Sequence, residues 1–376
     1  MIRRAILTII VMLLFTPIVS SAEDYDEKSE FAIDEYRKSI DSSLSGALDD
    51  ETADSLDRYG IYPASSSDSF NISSVISGVT DRFKASLSDP VKILGKLIAI
   101  CAFTVLVKSL TEGSSYGELY DTSAILVNIC VIYSNAELAV SSLKTALDDI
   151  SAFMLTYIPV FSSVIASGAA VTSAAGYYTV MFTLCEMITF VATNLLLPIT
   201  GIVFALNIVG AVNGNISLDG LCASLKSLTK WILTALMTVF TAVLSLKGIT
   251  GASVDSVASR TMRFAASSFI PIVGGSVSEA YSTIYGSLGI IRSSVGLFGI
   301  GAVAVITLRP VITVIAYKFV ISLGGIINEL FGQSRTASLL RGLAGVLDIA
   351  LGIMIAMAMI FIISTAIIML TTMNTI

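Results

Sequence analysis

The sequence predicts an all-α, polytopic membrane protein, and three features lead to that fold class. Of 376 residues, 55% are apolar and 13% are charged, which is about half the charged fraction of an ordinary soluble domain. The apolar residues fall in runs that approach or exceed the ~20 residues of a membrane-spanning helix. Charge is concentrated in residues 23–89, with 16 acidic and 6 basic residues, whereas residues 90–376 carry a net charge of +2. Such a body has to face lipid.

The first 22 residues have the pattern of a secretory signal peptide. Arg3 and Arg4 precede an apolar stretch, and the small residues 20–22 resemble a cleavage site. An uncleaved anchor helix is the alternative, because the apolar stretch is long for a signal. Pro17 and the acidic run that follows residue 22 favour cleavage.

Residues 23–89 are expected to form an acidic exported region of amphipathic helices with a linker. Apolar residues recur at near-helical spacing between 27 and 58, and a Ser-rich tract follows Pro63. A region this short, with few aromatic residues, makes a weak core. We therefore expect it to depend on the membrane body or on a partner for its order.

The membrane body begins with a first pair of helices in 90–149 and contains about seven to nine apolar segments. The candidates are 91–110, 122–143, 150–172, 176–197, 198–213, 228–247, 288–308, 310–328 and 343–370. The runs 176–213 and 288–328 are too long for one crossing, and Pro198 and Pro310 interrupt them. Because proline removes a backbone donor, each run is expected to be two crossings or one broken helix.

The spacing of four prolines predicts an internal duplication. Pro159 and Pro271 are 112 residues apart, and so are Pro198 and Pro310. The two halves are expected at 150–247 and 262–360, with the last helix extending to about residue 370. Transporters and channels are often built from such halves, with broken helices near the functional midplane. The four prolines are therefore candidate helix breaks, while the sidedness of the loops stays open.

The residue types do not favour catalysis. There is no histidine, so the G-x-S-x-G match at 113–117 lacks the base that a serine hydrolase needs. The four cysteines are far apart and form no C-x-x-C pair, which favours buried apolar roles over metal binding. We expect no enzymatic activity, no cofactor and no nucleic-acid partner.

Ionisable residues inside the apolar runs are candidates for a pathway or a gate. They are Glu137, Glu186, Arg309 and Asp348. A charge at bilayer depth costs at least ~2.5 kcal/mol, so such residues usually face a protein interior or a water-filled path. A structural ion pair is the alternative, and for Glu186 the two interpretations weigh about equally. The segment 252–294, by contrast, is interpreted as amphipathic and interfacial.

One stretch is specific enough to indicate a family. It runs from Asp255-Ser-Val-Ala-Ser-Arg260-Thr to Ile270-Pro-Ile-Val-Gly-Gly-Ser-Val-Ser-Glu-Ala280. With the signal peptide, the acidic exported region and the many-span body, it resembles the stage III sporulation protein AE family of endospore-forming bacteria over nearly the full chain. The resemblance implies a role in the channel apparatus that links mother cell and forespore, in the mother-cell-derived membrane around the forespore. It implies other membrane proteins of the same operon and a secretion-type ATPase as partners, and it carries no catalytic residue.

Three functional hypotheses follow. The first is a non-enzymatic channel or export-gate subunit that works in a complex. The second is a stand-alone transporter in which Glu137 or Glu186 couples ions to a solute. The third is a membrane scaffold without conduction.

Overall fold

The structure is a computed structural model that describes most of the membrane body and part of the exported region. The described residues are 35–36, 38–44, 46, 48–61, 72–110, 117–168, 170–213, 218–269 and 274–373. The predicted signal peptide, the G-x-S-x-G match up to residue 116 and Pro271 lie outside them. The side chain of Glu137 also lies outside the description, although its backbone is helical.

The described residues form helices joined by turns, and no strand occurs among them, which confirms the predicted all-α fold. The helices are α1 (Asp50–Tyr59), α2 (Ile72–Ser86), α3 (Ser88–Leu110), α4 (Gly117–Ser167), α5 (Val171–Val191), α6 (Leu197–Val212), α7 (Asp219–Phe269), α8 (Gly274–Leu330) and α9 (Ser334–Met373). A π-helical turn, Ala192–Leu196, joins α5 to α6.

Six stretches of the described chain are long and apolar enough to cross a membrane. They are Ser77–Leu110, Ser141–Ser167, Val171–Val212, Asp219–Thr261, Gly286–Leu330 and Ser334–Thr372, with a shorter apolar helix at Thr122–Tyr133. The nine predicted segments regroup into these seven because the two longest predicted runs each form one helical stretch. The protein is thus a polytopic α-helical membrane protein.

Two of the predicted helix breaks are wrong. Helix α4 continues through Pro159 and α8 continues through Pro310. A proline removes one helical hydrogen bond, yet a membrane helix tolerates it where neighbouring structure holds the backbone on both sides. Tyr157, Ile158 and Phe161 are fully buried around Pro159, and Ile312 and Val314 are buried after Pro310. Packing therefore keeps these helices continuous.

Pro198 lies at an irregularity rather than a break. It occupies the first turn of α6, directly after the π-helical turn, and the chain stays helical from Val171 to Val212. The first turn of a helix tolerates proline because its N–H would be unsatisfied there. Of the two alternatives for 176–213, the structure has one irregular helix and not two crossings.

Helix α9 is the central element of the bundle. It contacts α4, α6, α7 and α8, and α8 and α9 form the most extensive hairpin. Of its most apolar stretch, 67% is buried, against 17% for that of α7, which places α7 at the periphery. An aromatic group, Phe153, Tyr157, Phe161 and Phe361, fills the core beside α9.

The helix boundaries can be compared with the predicted duplication. Shifting Val171–Val212 by 112 residues gives 283–324, which lies entirely within α8. Shifting Asp219–Thr261 by the same amount gives 331–373, which contains α9. The α5–α7 and α8–α9 hairpins thus lie about 112 residues apart in the sequence. These boundaries are compatible with a duplication, which stays a prediction.

The described part of the acidic region, residues 23–89, packs directly on the membrane body. Ile40, Leu44, Leu56 and Tyr59 are buried in the main core cluster. Leu56 and Ile61 lie against Gly301 of α8, where a methyl group would come within 3.0 Å of the Ile61 side chain. The region that the sequence identifies as too small for its own core therefore shares the core of the bundle.

Candidate functional site

Glu186 lies on the outward face of α5. Glu186 is exposed, whereas its neighbours on the inward side of α5 are buried: Met181, Cys185 and Ile188. No ion pair joins it to another described residue. A path through the interior of a single chain would therefore not include the Glu186 carboxylate.

Arg309 and Asp348 both form ion pairs. The guanidinium of Arg309 binds the carboxylate of Glu51 in α1, and the ammonium of Lys318 binds the carboxylate of Asp348. Arg82 of α2 also approaches Glu51, at 3.8 Å. For these residues the structure favours the ion-pair alternative over a solvated pathway.

Replacing Arg309 by glutamine is expected to lower the stability of the protein by about 1 kcal/mol or less, because the pair with Glu51 is exposed and screened by solvent. Arg309 and Glu51 are 64% and 49% exposed. The midpoint of thermal unfolding in detergent measures the effect, and Arg58→Gln, which removes an exposed pair within α1, is the matched control. A loss several times that of the control would contradict this assignment.

A buried junction of charged groups lies at the end of the bundle where α4 turns into α5. We call it the Arg292 junction and define it by Gly168, Thr172, Ser173, Asp255, Arg292 and Thr372. It joins five helices, α4, α5, α7, α8 and α9. Asp255 and Arg292 are 3% and 1% exposed, so both ionisable groups are removed from solvent and from lipid.

Asp255 caps the N-terminus of α5 from another helix. Its carboxylate oxygens accept hydrogen bonds from the backbone N–H groups of Thr172, at 2.9 Å, and Ser173, at 2.8 Å. The residue before α5 is Ala170, which has no side-chain acceptor. A negative charge is favoured at a helix N-terminus, where the free N–H groups carry partial positive charge. Asp255 therefore supplies the cap that the local sequence lacks.

Arg292 has the complementary arrangement at two helix C-termini. Its Nη1 donates to the carbonyl oxygen of Thr372 at 2.8 Å, and its Nη2 donates to that of Gly168 at 3.4 Å. The carbonyl of Thr372 lies at the C-terminal end of α9, and that of Gly168 directly follows α4. A positive charge is favoured at both of these helix ends. Asp255 and Arg292 carry opposite charges in the same junction, although no ion pair within 4.0 Å joins them. The two buried charges are opposite in sign, and together they stabilise one helix N-terminus and two helix C-termini.

Two glycines leave room for this arrangement. A methyl group on Gly168 would lie 2.2 Å from Nη2 of Arg292, and one on Gly251 would lie 2.9 Å from the Cα atom of Ser173. The second contact is with backbone, which cannot rotate away. Close approach at these points requires residues without a side chain.

The interpretation of 252–294 as an interfacial amphipathic segment is wrong for Asp255 and Arg292. The sequence places Asp255 among alternating apolar and charged residues, which is typical of an interface. In the structure Asp255 faces Thr172 and Ser173, 82–83 positions away in the chain. No local pattern distinguishes Asp255 from the charged residues near it, such as Arg260 and Arg263, so its burial could not be read from the sequence.

The comparison with known proteins decides the family. The stage III sporulation protein AE family matches residues 62–372, which include every residue of the Arg292 junction. The chain belongs to the stage III sporulation protein AE family. The stage III sporulation protein AE of Bacillus subtilis (strain 168) is 24% identical over 244 residues, which are 64% of this chain and 61% of that protein. The match thus covers less than two thirds of this relative's length. No solved structure matches the chain.

Membership in this sporulation family and the six long apolar helices together establish a membrane protein of sporulation. The resemblance noted in the stretch 255–280 is confirmed by a match that extends over most of the chain. Within the family's matched region, the Arg292 junction is the most deeply buried group of charges that the structure describes.

Proposed function

We propose that this protein is a non-enzymatic subunit of a channel or export apparatus between mother cell and forespore. It would act in the mother-cell-derived membrane around the forespore. The observation that carries the proposal is the match of the stage III sporulation protein AE family over residues 62–372, together with six helices able to cross a membrane.

The chemistry of the junction favours a mechanical role over catalysis. Asp255 and Arg292 bind backbone groups at helix termini, with contacts of 2.8–2.9 Å to Thr172, Ser173 and Thr372. Buried charges held in this way fix the relative positions of helices, and removing one of them is costly. A rigid junction of five helices suits a subunit that maintains a passage within a larger assembly.

The proposed partners are the other membrane proteins of the sporulation operon and a secretion-type ATPase. The acidic exported region would face the space between the two membranes, and its docking on α8 holds it against the membrane body. A docked, acidic surface of this kind is accessible to proteins of that space. This part of the proposal rests on the family and not on a contact in the structure.

The location of Glu186 favours a gate subunit over a stand-alone carrier. A carrier with inverted or parallel halves binds its substrate between them. Glu186 points away from the core of the bundle, and the carboxylates of Asp348 and Glu51 are paired with basic residues. A passage that involves Glu186 would lie between subunits.

Deletion of the gene in the bacterium that encodes it tests the function. We expect a loss of heat-resistant spores with normal vegetative growth, and co-purification of the tagged protein with the sporulation membrane proteins and the ATPase. Complementation by Glu186→Gln should restore most spores where the variant still assembles, because a gate subunit does not need a protonatable group at this position. Normal spore counts after deletion, or an ion-dependent uptake defect in growing cells that Glu186→Gln reproduces, would overturn the proposal.

A further inference from the structure

The outward side of α5 exposes the large apolar or aromatic residues Val171, Tyr178, Phe182 and Met187, and beside them a row that contains three threonines and one glutamate. We call this row the Glu186 face and define it by Thr172, Ala175, Thr179, Thr183, Glu186 and Phe190, which are all exposed. These residues recur at intervals of three or four, so they lie along one side of the helix. The buried residues of α5, Ser173, Ala174, Tyr177, Met181, Cys185 and Ile188, lie on the opposite side.

Lipid alone is a poor environment for this face. Glu186 is the only acidic or basic residue between Val171 and Val212, a stretch of 42 residues with high mean hydropathy. A carboxylate within hydrocarbon is costly and almost always faces protein or water. Polar side chains such as threonine are typical of contacts between membrane helices. The Glu186 carboxylate is therefore better placed against protein or water than against lipid.

Helix α7 exposes a basic residue whose charge complements that of Glu186. Lys247 is exposed and is the only acidic or basic residue between Trp231 and Val254. No ion pair within 4.0 Å joins it to Glu186 or to any other described residue. Helices α5 and α7 thus each expose one lone charge, of opposite sign, and the two charges do not satisfy each other within one chain.

The heights of the two charges along the bundle are compatible with a pair between copies. Ser173 lies against Gly251, and Gly210 lies against Leu218 at the other end of the hairpin. Interpolation between these contacts places Glu186 about 11 Å along the axis from Lys247, at 1.5 Å per residue. Helical side chains lean toward the N-terminus. Because α5 and α7 are antiparallel, Glu186 and Lys247 lean toward each other, which shortens this offset.

We propose that this protein self-associates in the membrane through the Glu186 face of α5 and helix α7 of a second copy, with Glu186 of one copy paired to Lys247 of the other. Rotation about an axis parallel to the helices keeps the heights of both groups and repeats the contact until a dimer or a ring closes. The inference rests on exposure and charge, so it stands independently of the proposed channel function.

Cross-linking of the full chain in native membranes tests the contact. Two differently tagged copies are co-expressed on a background with Cys130→Ser, which removes the exposed native cysteine. One copy carries Thr183→Cys and the other Val239→Cys, both at exposed positions, so that Glu186 and Lys247 stay intact. A short bifunctional thiol reagent should yield mixed dimers. The control replaces Thr183→Cys by Ile326→Cys, an exposed position on α8 that should yield none.

Charge reversal gives a second readout. Glu186→Lys and Lys247→Glu should each reduce mixed dimers about fivefold, and combining the two in every copy should restore them. Normal accumulation of the reversed variants in the membrane is measured alongside. The proposal is overturned if accumulated protein gives no mixed dimer, if the Ile326 control cross-links equally, if Thr183→Cys captures a different protein instead, or if the double reversal is no better than either single one.

Discussion

Replacing Arg292 by alanine is expected to destabilise the protein by about 3–5 kcal/mol, since this leaves the buried Asp255 without its compensating charge. The guanidinium also satisfies carbonyl oxygens of Gly168 and Thr372. With a total stability of about 5–15 kcal/mol for a typical protein, a loss of this size consumes a large part of it. The midpoint of thermal unfolding in detergent and the amount of protein in the membrane measure the effect.

Two further variants separate charge from packing at the Arg292 junction. Arg292→Lys retains the charge but cannot reach two carbonyls with a planar fork, so we expect a loss between wild type and Arg292→Ala. Arg292→Met combined with Asp255→Asn removes both charges and should recover much of the stability that Arg292→Met alone loses. If the double variant is as unstable as the sum of its parts, the two groups are not coupled and the junction is misassigned.

Replacing Gly299 by valine is expected to cost about 3 kcal/mol or more through overpacking. A methyl group at Gly299 would lie 2.2 Å from Cζ of Tyr157. This ring cannot move away: it stacks on Phe153 and Phe161 with centroids at 5.5 and 5.3 Å, and its hydroxyl donates to the carbonyl oxygen of Val295 at 3.1 Å. The unfolding midpoint should fall well below that of the wild type.

Gly286→Ala in the same helix is the matched control. No other atom lies within 4 Å of the added methyl group, and alanine favours a helix over glycine by about 0.8–1.0 kcal/mol. The control should therefore be neutral or slightly stabilising. A Gly299→Val protein as stable as Gly286→Ala would show that α8 and the aromatic group are not in close contact.

The spans could be predicted because their signal is local. The composition of a run such as 343–370 determines that it is a membrane helix, whatever it packs against, and α9 contains it. The continuity of α4 and α8 could not be predicted, because a proline rule considers only the helix itself. Buried neighbours from other helices hold the backbone around Pro159 and Pro310.

For the charged residues, too, the local signal is visible in the sequence and the contacts with distant segments are not. Their rarity in apolar runs identified Glu186, Arg309 and Asp348 as exceptional, and rarity is visible in the sequence. The partners of charged residues are not visible in the sequence, since Arg309 pairs with Glu51 across 258 positions and Arg292 reaches Gly168 across 124. An amphipathic pattern at 252–294 reports only which residues alternate, so it assigned Asp255 to a surface when a distant helix end buries it.

The Arg292 junction has a consequence for the order in which the chain is made. Helix α5 leaves the ribosome more than 80 residues before Asp255, so its first N–H groups enter the membrane uncapped. Arg292 follows later, and its acceptor on Thr372 comes 80 positions further on. The junction therefore closes last. The hydrogen bonds that hold the α4–α5 turn in the junction therefore cannot all form until α7, α8 and α9 have been made.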